Sequence, residues 1–138
     1  MVGKYKHSVD PKGRLFVPSK LKDELGESFY VSLGSEHCLT VYPEAEWNAF
    51  VEKARSLPVS KAPKMRLLFA NTVKCEPDKQ GRFLLPAELR DYARLKQDVM
   101  FLGQGSYAEI WDAEAYYAME SELLTPETLR SVLEELNF

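Results

Sequence analysis

Short apolar runs separated by turn residues fill the first half of the chain and return in the second half. Leu15-Phe16-Val17 and Phe83-Leu84-Leu85 each follow a Gly-Arg pair and end at a proline, which is typical of a buried strand. Two more strands are predicted after each run, at about 29–33 and 38–42 and again at about 98–102 and 107–111. The pattern therefore predicts a strand-rich α+β unit that occurs twice.

Helical periodicity appears between and after these strands. In the first half, Ser19 is a candidate N-cap of a short helix that buries Leu21 and Leu25 and ends at Gly26. Longer amphipathic helices are predicted at 44–56, at 113–123 with Asp112 as N-cap, and from Thr125 onward. The apolar positions of these longer helices, spaced three and four residues apart, are Trp47, Phe50, Val51 and Ala54, then Tyr116, Met119 and Leu123, then Leu129, Val132, Leu133 and Leu136.

The two halves are copies of one another. Residues 9–25, VDPKGRLFVPSKLKDEL, align with residues 77–93, PDKQGRFLLPAELRDYA, at a constant offset of 68. A unit of about 70 residues built from short strands buries little surface alone. We therefore expect two similar halves that interleave around a pseudo-twofold axis and share one core.

The expected organisation has four parts. Residues 3–57 form the first repeat, residues 58–71 a linker with a short helix, and residues 72–124 the second repeat. Residues 125–138 form a C-terminal amphipathic helix.

Composition is that of a folded protein of 138 residues with 45% hydrophobic residues and a formal net charge of −3. It has no apolar run long enough for a membrane span, no signal peptide and only two cysteines, so we expect a soluble cytoplasmic protein. The charge is uneven: residues 1–22 hold six Lys and Arg against one acid, and residues 53–74 hold six against none. Residues 107–138 hold eight acids against one arginine. Salt screens the interaction between distant charges, so the charges near a phosphate, and not the net charge of the protein, decide whether it is attracted. A basic face that attracts phosphate is therefore compatible with the net charge of −3.

Few residues suit catalysis or metal binding. His7 and His37 are the only histidines, and no nucleophile–histidine, phosphate-loop or dinucleotide motif is present. His7 and Cys75 occupy equivalent repeat positions and could approach each other across the axis, but structural zinc has four ligands. We expect no enzyme activity, no catalytic residue, no metal site and no cofactor.

The repeated turns carry the most informative chemistry. Asp10 and Asp78 each precede an arginine, Arg14 or Arg82, by four residues across a glycine. The pair of aspartates could be an acid–base site, but an aspartate in this position more simply pairs with the arginine and the turn amides. The arginines could equally be ordinary surface residues. Recurrence of the whole loop beside clustered lysines favours contact with nucleic acid.

Asp10-Pro11-Lys12-Gly13-Arg14 and Asp78-Lys79-Gln80-Gly81-Arg82 resemble the D-x-x-x-R motifs of the MraZ family, bacterial transcriptional regulators with two AbrB-like domains in tandem. The resemblance extends through RLFVP and RFLLP, the stretch ending at Trp47, and Arg66-Leu67-Leu68-Phe69-Ala70. It implies an α+β, strand-rich fold in which two swapped-hairpin repeats form a pseudo-twofold barrel with flanking short helices. It also implies a ring of identical subunits, such as an octamer or a dodecamer.

The same resemblance implies function. The protein would bind short promoter repeats in double-stranded DNA and repress the division and cell-wall gene cluster that includes its own gene, in association with the nucleoid. Arg14 and Arg82 match the motif arginines, with Asp10, Gly13, Asp78 and Gly81 shaping the loops. Charge alone adds a set of phosphate-contact candidates: Lys4, Lys6, Lys12, Lys74 and Lys79.

The two loops are not equally basic. Lys12 of the first repeat is replaced by Gln80 in the second, and Lys20 by Glu88, so we expect the first loop to carry more of the electrostatic attraction. The alternative interpretation is an oligomeric protein-interaction scaffold without specific DNA binding, in which the acidic C-terminal helix docks a partner.

Overall fold

Eight β-strands and six α-helices follow the same order in the two halves of the chain in this computed structural model, which describes residues 1–138. The strands are β1 (Lys4–Ser8), β2 (Arg14–Phe16), β3 (Phe29–Leu33), β4 (Leu39–Pro43), β5 (Val73–Cys75), β6 (Arg82–Leu84), β7 (Asp98–Gly103) and β8 (Ala108–Asp112). The helices are α1 (Lys22–Leu25), α2 (Glu44–Arg55), α3 (Ala62–Ala70), α4 (Ala87–Tyr92), α5 (Ala113–Leu123) and α6 (Pro126–Glu135), and a 3₁₀ turn at Val59–Lys61 precedes α3. The mixed α+β class is as expected.

Strands of the two repeats alternate within shared sheets. The large antiparallel sheet has the order β1-β7-β8-β4-β3-β5, so β1 pairs with the second repeat and β5 with the first. At its centre β4 pairs with β8, and a separate two-stranded ladder joins β2 to β6. Neither half contains all the pairing partners of its own strands, which confirms the predicted interleaving.

The large sheet has the longer helices α2 and α5 on one face, and the two-stranded ladder with the short helices α1 and α4 on the other. Alternate side chains such as Val31, Val41 and Phe101 belong to the main core, together with Leu15 and Phe83 of the ladder. The opposite face carries Met100 and Trp111, against which Tyr116 of α5 packs. The ladder therefore lies over the main core, on the far side of the sheet from α2 and α5.

Most predicted element bounds are confirmed. The side chain of Asp112 accepts a hydrogen bond from the Ala115 amide at the start of α5, and that of Thr125 accepts one from the Thr128 amide at the start of α6. Gly26 ends α1 with φ +78°. Both predicted strand pairs form antiparallel hairpins.

The prediction of Ser19 as a helix N-cap is wrong. Helix α1 starts at Lys22, and Leu21 precedes it without a side-chain cap. Backbone bonds from Leu21 to Pro18 and from Lys22 to Ser19 form a turn before the helix, which shortens the helix from its N-terminal side.

The interpretation of the two apolar runs as wholly buried strands is also wrong. Leu15, Phe83 and Leu85 are buried, but Phe16 is 47% exposed and Leu84 57% exposed. A two-stranded ladder covers the core with only one face, so every second side chain points outward.

Hydrogen bonding between strands leaves the large sheet open, with β1 and β5 as its edges, and no closed barrel is seen. His7 and Cys75 lie on the two edge strands, with four strands between them along the sheet, and no hydrogen bond joins them. No group of three or more His, Cys, Asp or Glu side chains is placed to hold a metal ion. No helix is both long and apolar enough to cross a membrane.

Candidate nucleic-acid interface

The two D-x-x-x-R segments fold into the same turn. Asp10 Oδ1 accepts hydrogen bonds from the backbone amides of Lys12 and Arg14, at 2.9 and 2.8 Å. Asp78 Oδ1 does the same for Gln80 and Arg82, at 2.9 and 3.0 Å. The central glycines have φ +81° and +83°, a left-handed conformation that favours glycine. Each turn is therefore fixed by its own aspartate and glycine.

The same aspartates hold the arginine side chains. Arg14 Nε donates to Asp10 Oδ2 at 2.7 Å, and Arg82 Nε donates to Asp78 Oδ2 at 3.1 Å. Arg82 also places Nη2 3.1 Å from Asp78 Oδ2. Because Arg14 uses only Nε in this contact, both of its terminal nitrogens remain available to an external acceptor, whereas Arg82 shares one with its aspartate.

Both aspartates are stabilised as carboxylates. The backbone amide of Arg14, helped by its side chain and by the Lys12 amide, holds the pKa of Asp10 below its ordinary value. The amides of Arg82 and Gln80, with the Arg82 side chain, lower the pKa of Asp78 in the same way. The ion pairs that orient the two arginines thus persist at neutral pH.

The ladder brings the two arginines onto one outward face. Arg14 lies opposite Leu84, and Phe16 lies opposite Arg82. Directly paired residues share a face of an antiparallel ladder, and diagonal neighbours are ~7–8 Å apart. The face therefore presents two fixed arginines with two exposed apolar side chains between them. We call these four residues, Arg14, Phe16, Arg82 and Leu84, the ladder face.

Cations from both repeats surround the ladder face. Lys12 and Lys79 lie in the two turns, exposed and without an ion pair. The guanidinium of Arg90 lies against the first turn, where a Cβ on Gly13 would be 3.0 Å from its Nη2, while its Nε donates to the Leu85 carbonyl. Lys22, its counterpart in the first repeat, lines the same cleft as Asp78 and Gly81.

Arg90, Lys22, Phe16 and Leu84 were not among the candidates suggested by the sequence. The alternation of side chains along a strand could have indicated Phe16 and Leu84 as outward residues. The positions of Arg90 and Lys22 depend on the crossing of the repeats, which the linear sequence does not reveal.

Three predicted phosphate contacts lie elsewhere. Lys4 and Lys6 pair in register with Leu102 and Met100, on the helix-covered face of the large sheet. Lys4 Nζ is bound to Glu120 of α5 at 2.8 Å, and Lys6 Nζ is 3.9 Å from Asp98.

Lys74 belongs to the same outer face. It lies opposite Tyr30, and its Nζ is 6.0 Å from the centre of the Tyr30 ring. The structure therefore brings Lys12 and Lys79 to the arginines, but not Lys4, Lys6 or Lys74.

Comparison with known proteins gives two successive matches to one family model, described as "MraZ protein, putative antitoxin-like", at residues 1–69 and 68–131. The chain belongs to the MraZ family. A protein of Carboxydothermus hydrogenoformans named transcriptional regulator MraZ is 45% identical over 118 residues, which cover 83% of this chain and 82% of the relative. One from Desulfitobacterium hafniense with the same name is 44% identical over 126 residues, 88% of each chain.

A third MraZ relative, from Lachnoclostridium phytofermentans, is 46% identical over 117 residues, 83% of each chain. These relatives are named as regulators and not as enzymes, which confirms the interpretation of the sequence as non-enzymatic.

Proposed function

We propose that this MraZ-family chain is a transcriptional regulator that reads double-stranded DNA with the ladder face. The observation that carries the proposal is the pair of arginines fixed by identical aspartate turns on one outward surface. The names of the relatives support the same role. A two-stranded β-ribbon fits the major groove, where an arginine fork can bind O6 and N7 of guanine.

In this mechanism Asp10 and Asp78 hold the guanidinium groups of Arg14 and Arg82 in place before DNA binds. Asp10 occupies Nε of Arg14 and leaves its two terminal nitrogens for guanine, so little side-chain freedom is lost on binding. Lys12, Lys79 and Lys22 lie beside the turns and neutralise phosphates on either side of the groove. The first turn has Lys12 and Arg90 beside its arginine and the second has Lys79 and Lys22, so each turn brings two cations to the DNA.

The exposed apolar pair adds a second kind of contact. Phe16 and Leu84 project between the two arginines and match the C5-methyl group of thymine, the one apolar feature of the major groove. Replacing thymine by uracil in the operator should therefore weaken binding about fourfold for each methyl lost, from ~0.8 kcal/mol per buried carbon. The Phe16→Ser, Leu84→Ser variant should be insensitive to that replacement, and a parent protein that is equally insensitive would contradict the contact.

The finer function is repression of the division and cell-wall gene cluster that includes the protein's own gene, through short promoter repeats. A ring of identical subunits would present several ladder faces to successive repeats, on DNA of the nucleoid. The family resemblance supports this part of the proposal.

The test is a titration of the parent protein with duplex DNA from just upstream of its own gene and with a scrambled duplex of equal length. We expect the upstream duplex to bind at least ~10³-fold more tightly at physiological salt. Affinity for both duplexes should fall steeply as salt rises, since each neutralised phosphate releases counterions. Equal affinities would overturn specific reading.

A protein-interaction scaffold is the second candidate, favoured by the exposed apolar side of α6. A scaffold bound to a protein partner through that helix would respond weakly to salt and would not distinguish the two duplexes. The same titration therefore separates the two functions.

A further inference from the structure

Helix α6 has an apolar side that its own chain leaves largely uncovered. Leu129, Val132, Leu133 and Leu136 lie on one side of the helix and are each 46–60% exposed. The helix makes no extensive contact with any other element. A stripe of this size on a well-formed amphipathic helix marks an interaction surface.

The equivalent helix of the first repeat does have a packing partner. Helix α3 follows α2 as α6 follows α5, and it folds back against α2. The Phe69 ring lies 5.8 Å from that of Trp47 and 6.4 Å from that of Phe50, both of α2. Aromatic rings therefore hold α3 against α2, whereas no aromatic contact joins α6 to α5.

Helices α2 and α3 leave an open apolar groove. The groove has a volume of about 520 Å³ between the end of α2, the 3₁₀ turn and α3. Val51, Leu57, Val59 and Met65 are among its lining side chains. Val59 is 89% exposed, so this part of the groove is open to solvent.

Charge makes the helix and the groove complementary. Residues 53–74, which include every lining residue of the groove except Val51, hold six Lys and Arg and no acid, and Arg55 and Arg66 lie in the lining. Residues 125–138 hold three glutamates and one arginine. Arg55 pairs with Glu52, but Arg66 and the glutamates of α6 make no ion pair within the chain. Complementary potentials of this kind select a partner and orient it.

We propose that α6 of one subunit docks in the α2–α3 groove of a second copy of this chain, with its leucine stripe against Val59 and Met65. A second copy is the occupant because α6 follows α5 after only two residues and none of its residues lines the groove of its own chain. Its ten residues are ~15 Å long, enough to lie along the groove.

Donor helix and acceptor groove are different surfaces, so the contact is heterologous. Each subunit donates α6 to one neighbour and accepts α6 from another, an arrangement that closes into a ring or continues as a filament. The inference rests on the proposed homo-oligomer and identifies the surfaces that build it.

The experiment breaks each surface separately and measures mass by light scattering after size exclusion. The donor-defective variant is Leu133→Glu and its matched control is Ser131→Glu, on the same helix but away from the stripe. The acceptor-defective variant is Val59→Glu and its control is Ser60→Glu, the next residue and not part of the lining. We expect assemblies of the parent mass for both controls and monomers for both defective variants.

Mixing then tests the head-to-tail geometry. The donor-defective chain keeps its groove and the acceptor-defective chain keeps its α6, so an equimolar mixture should form a dimer with one intact interface. A monomeric parent, a defective variant of parent mass, or a mixture that stays monomeric would each overturn the interface. Thermal unfolding of each variant shows whether it is folded. We expect a cooperative transition for every variant, with midpoints close to the parent's for the two controls and lower for the two monomeric variants, which lose the stabilisation that assembly provides.

Failure of DNA binding is distinguishable from failure of the interface. If the mixture dimerises but the parent does not prefer upstream DNA, the interface stands and the proposed function fails. If the parent prefers upstream DNA but is monomeric, the function stands and the interface fails.

Discussion

Arg14 and Lys4 are both cations near the N-terminus, but their surroundings assign them different roles. Arg14 is held by Asp10 on the ladder face, whereas Lys4 is bound to Glu120 on the opposite side of the large sheet. A fixed planar fork can select a base, while a flexible ammonium mainly supplies attraction to phosphate. Position and partner, more than charge, distinguish the two residues.

Replacing Arg14 by alanine should weaken binding to the upstream duplex by ~1–3 kcal/mol, or about 5–150-fold, because a bidentate guanine contact is lost. Lys4→Ala should change it little, since Lys4 is engaged with Glu120. Arg82→Ala should have a smaller effect than Arg14→Ala, because Arg82 shares a terminal nitrogen with Asp78. Fluorescence anisotropy with a labelled duplex measures all three. If Lys4→Ala weakened binding to the upstream duplex and Arg14→Ala did not, Arg14 would be a purely structural residue.

At the scale of elements, local signals predicted most of the chain. Short patterns of polarity and turn chemistry predicted the strand pairs, the Asp112 cap, the start of the last helix at Thr125 and the glycine at the end of α1. Ser19 failed as a cap because a turn at Pro18 intervenes before the helix. The sequence did not predict that Phe16 and Leu84 point outward, because apolar residues at every position of the run leave no alternation of polar and apolar residues to distinguish the two faces of the strand.

The two cysteines lie on opposite faces of the large sheet, Cys75 in the main core with Leu15 and Phe83 of the ladder and Cys38 in the cluster with Met100 and Trp111. Cys75 in β5 and Cys38 before β4 are both buried, and burial raises the pKa of Cys75 to about 12 and that of Cys38 to about 11. A raised pKa keeps each thiol protonated, and the protonated thiol is not the nucleophile.

Iodoacetamide at pH 8 should therefore leave both cysteines of the folded protein unmodified, because about one molecule in a thousand or fewer carries a thiolate at either site. Both should react quickly in denaturant, where burial is lost. A Ser60→Cys variant supplies an exposed thiol as a matched control and should gain one label when folded. Mass spectrometry measures the labelling of each cysteine. If Cys75 reacted as fast as the thiol introduced at position 60, the claim that Cys75 is buried and protonated would be wrong.

The whole molecule depends on pairings between repeats that no local pattern specifies. The internal repeat predicts a pseudo-twofold and a shared core, but not that β1 and β5 cross to the opposite halves or that β2 meets β6. Those crossings create the ladder face and bring Arg90 of the second repeat to the first turn. They also place Lys4, Lys6 and Lys74 on the far side of the sheet from the ladder face, which net charge along the sequence does not predict.

An assembly of such subunits should bind a DNA duplex more tightly when the duplex carries more copies of the repeat. One ladder face offers few contacts, whereas a second engagement by a tethered subunit is intramolecular and can raise affinity by ~10²–10⁴. Affinity should rise steeply from one to three repeats in duplexes of equal length, provided that the repeats are spaced near one helical turn of ~10 bp. Inserting ~5 bp between repeats should abolish the gain, because it turns one repeat to the opposite side of the helix. Equal affinity for every duplex would show that each assembly uses one site.

The most direct test of DNA reading by the ladder face compares arginine with lysine at the two fixed positions. The double variant Arg14→Lys, Arg82→Lys keeps the charge but loses both forks, and Arg94→Lys is the matched control at an exposed arginine outside the ladder. The measurement is the ratio of affinities for the upstream and scrambled duplexes at one salt concentration. We predict that this ratio is at least about tenfold lower for the double variant than for the parent, and that the affinity for scrambled DNA changes by less than about twofold. The control should keep the parent's ratio. A double variant that retained the full preference for the upstream duplex would contradict reading by these arginines.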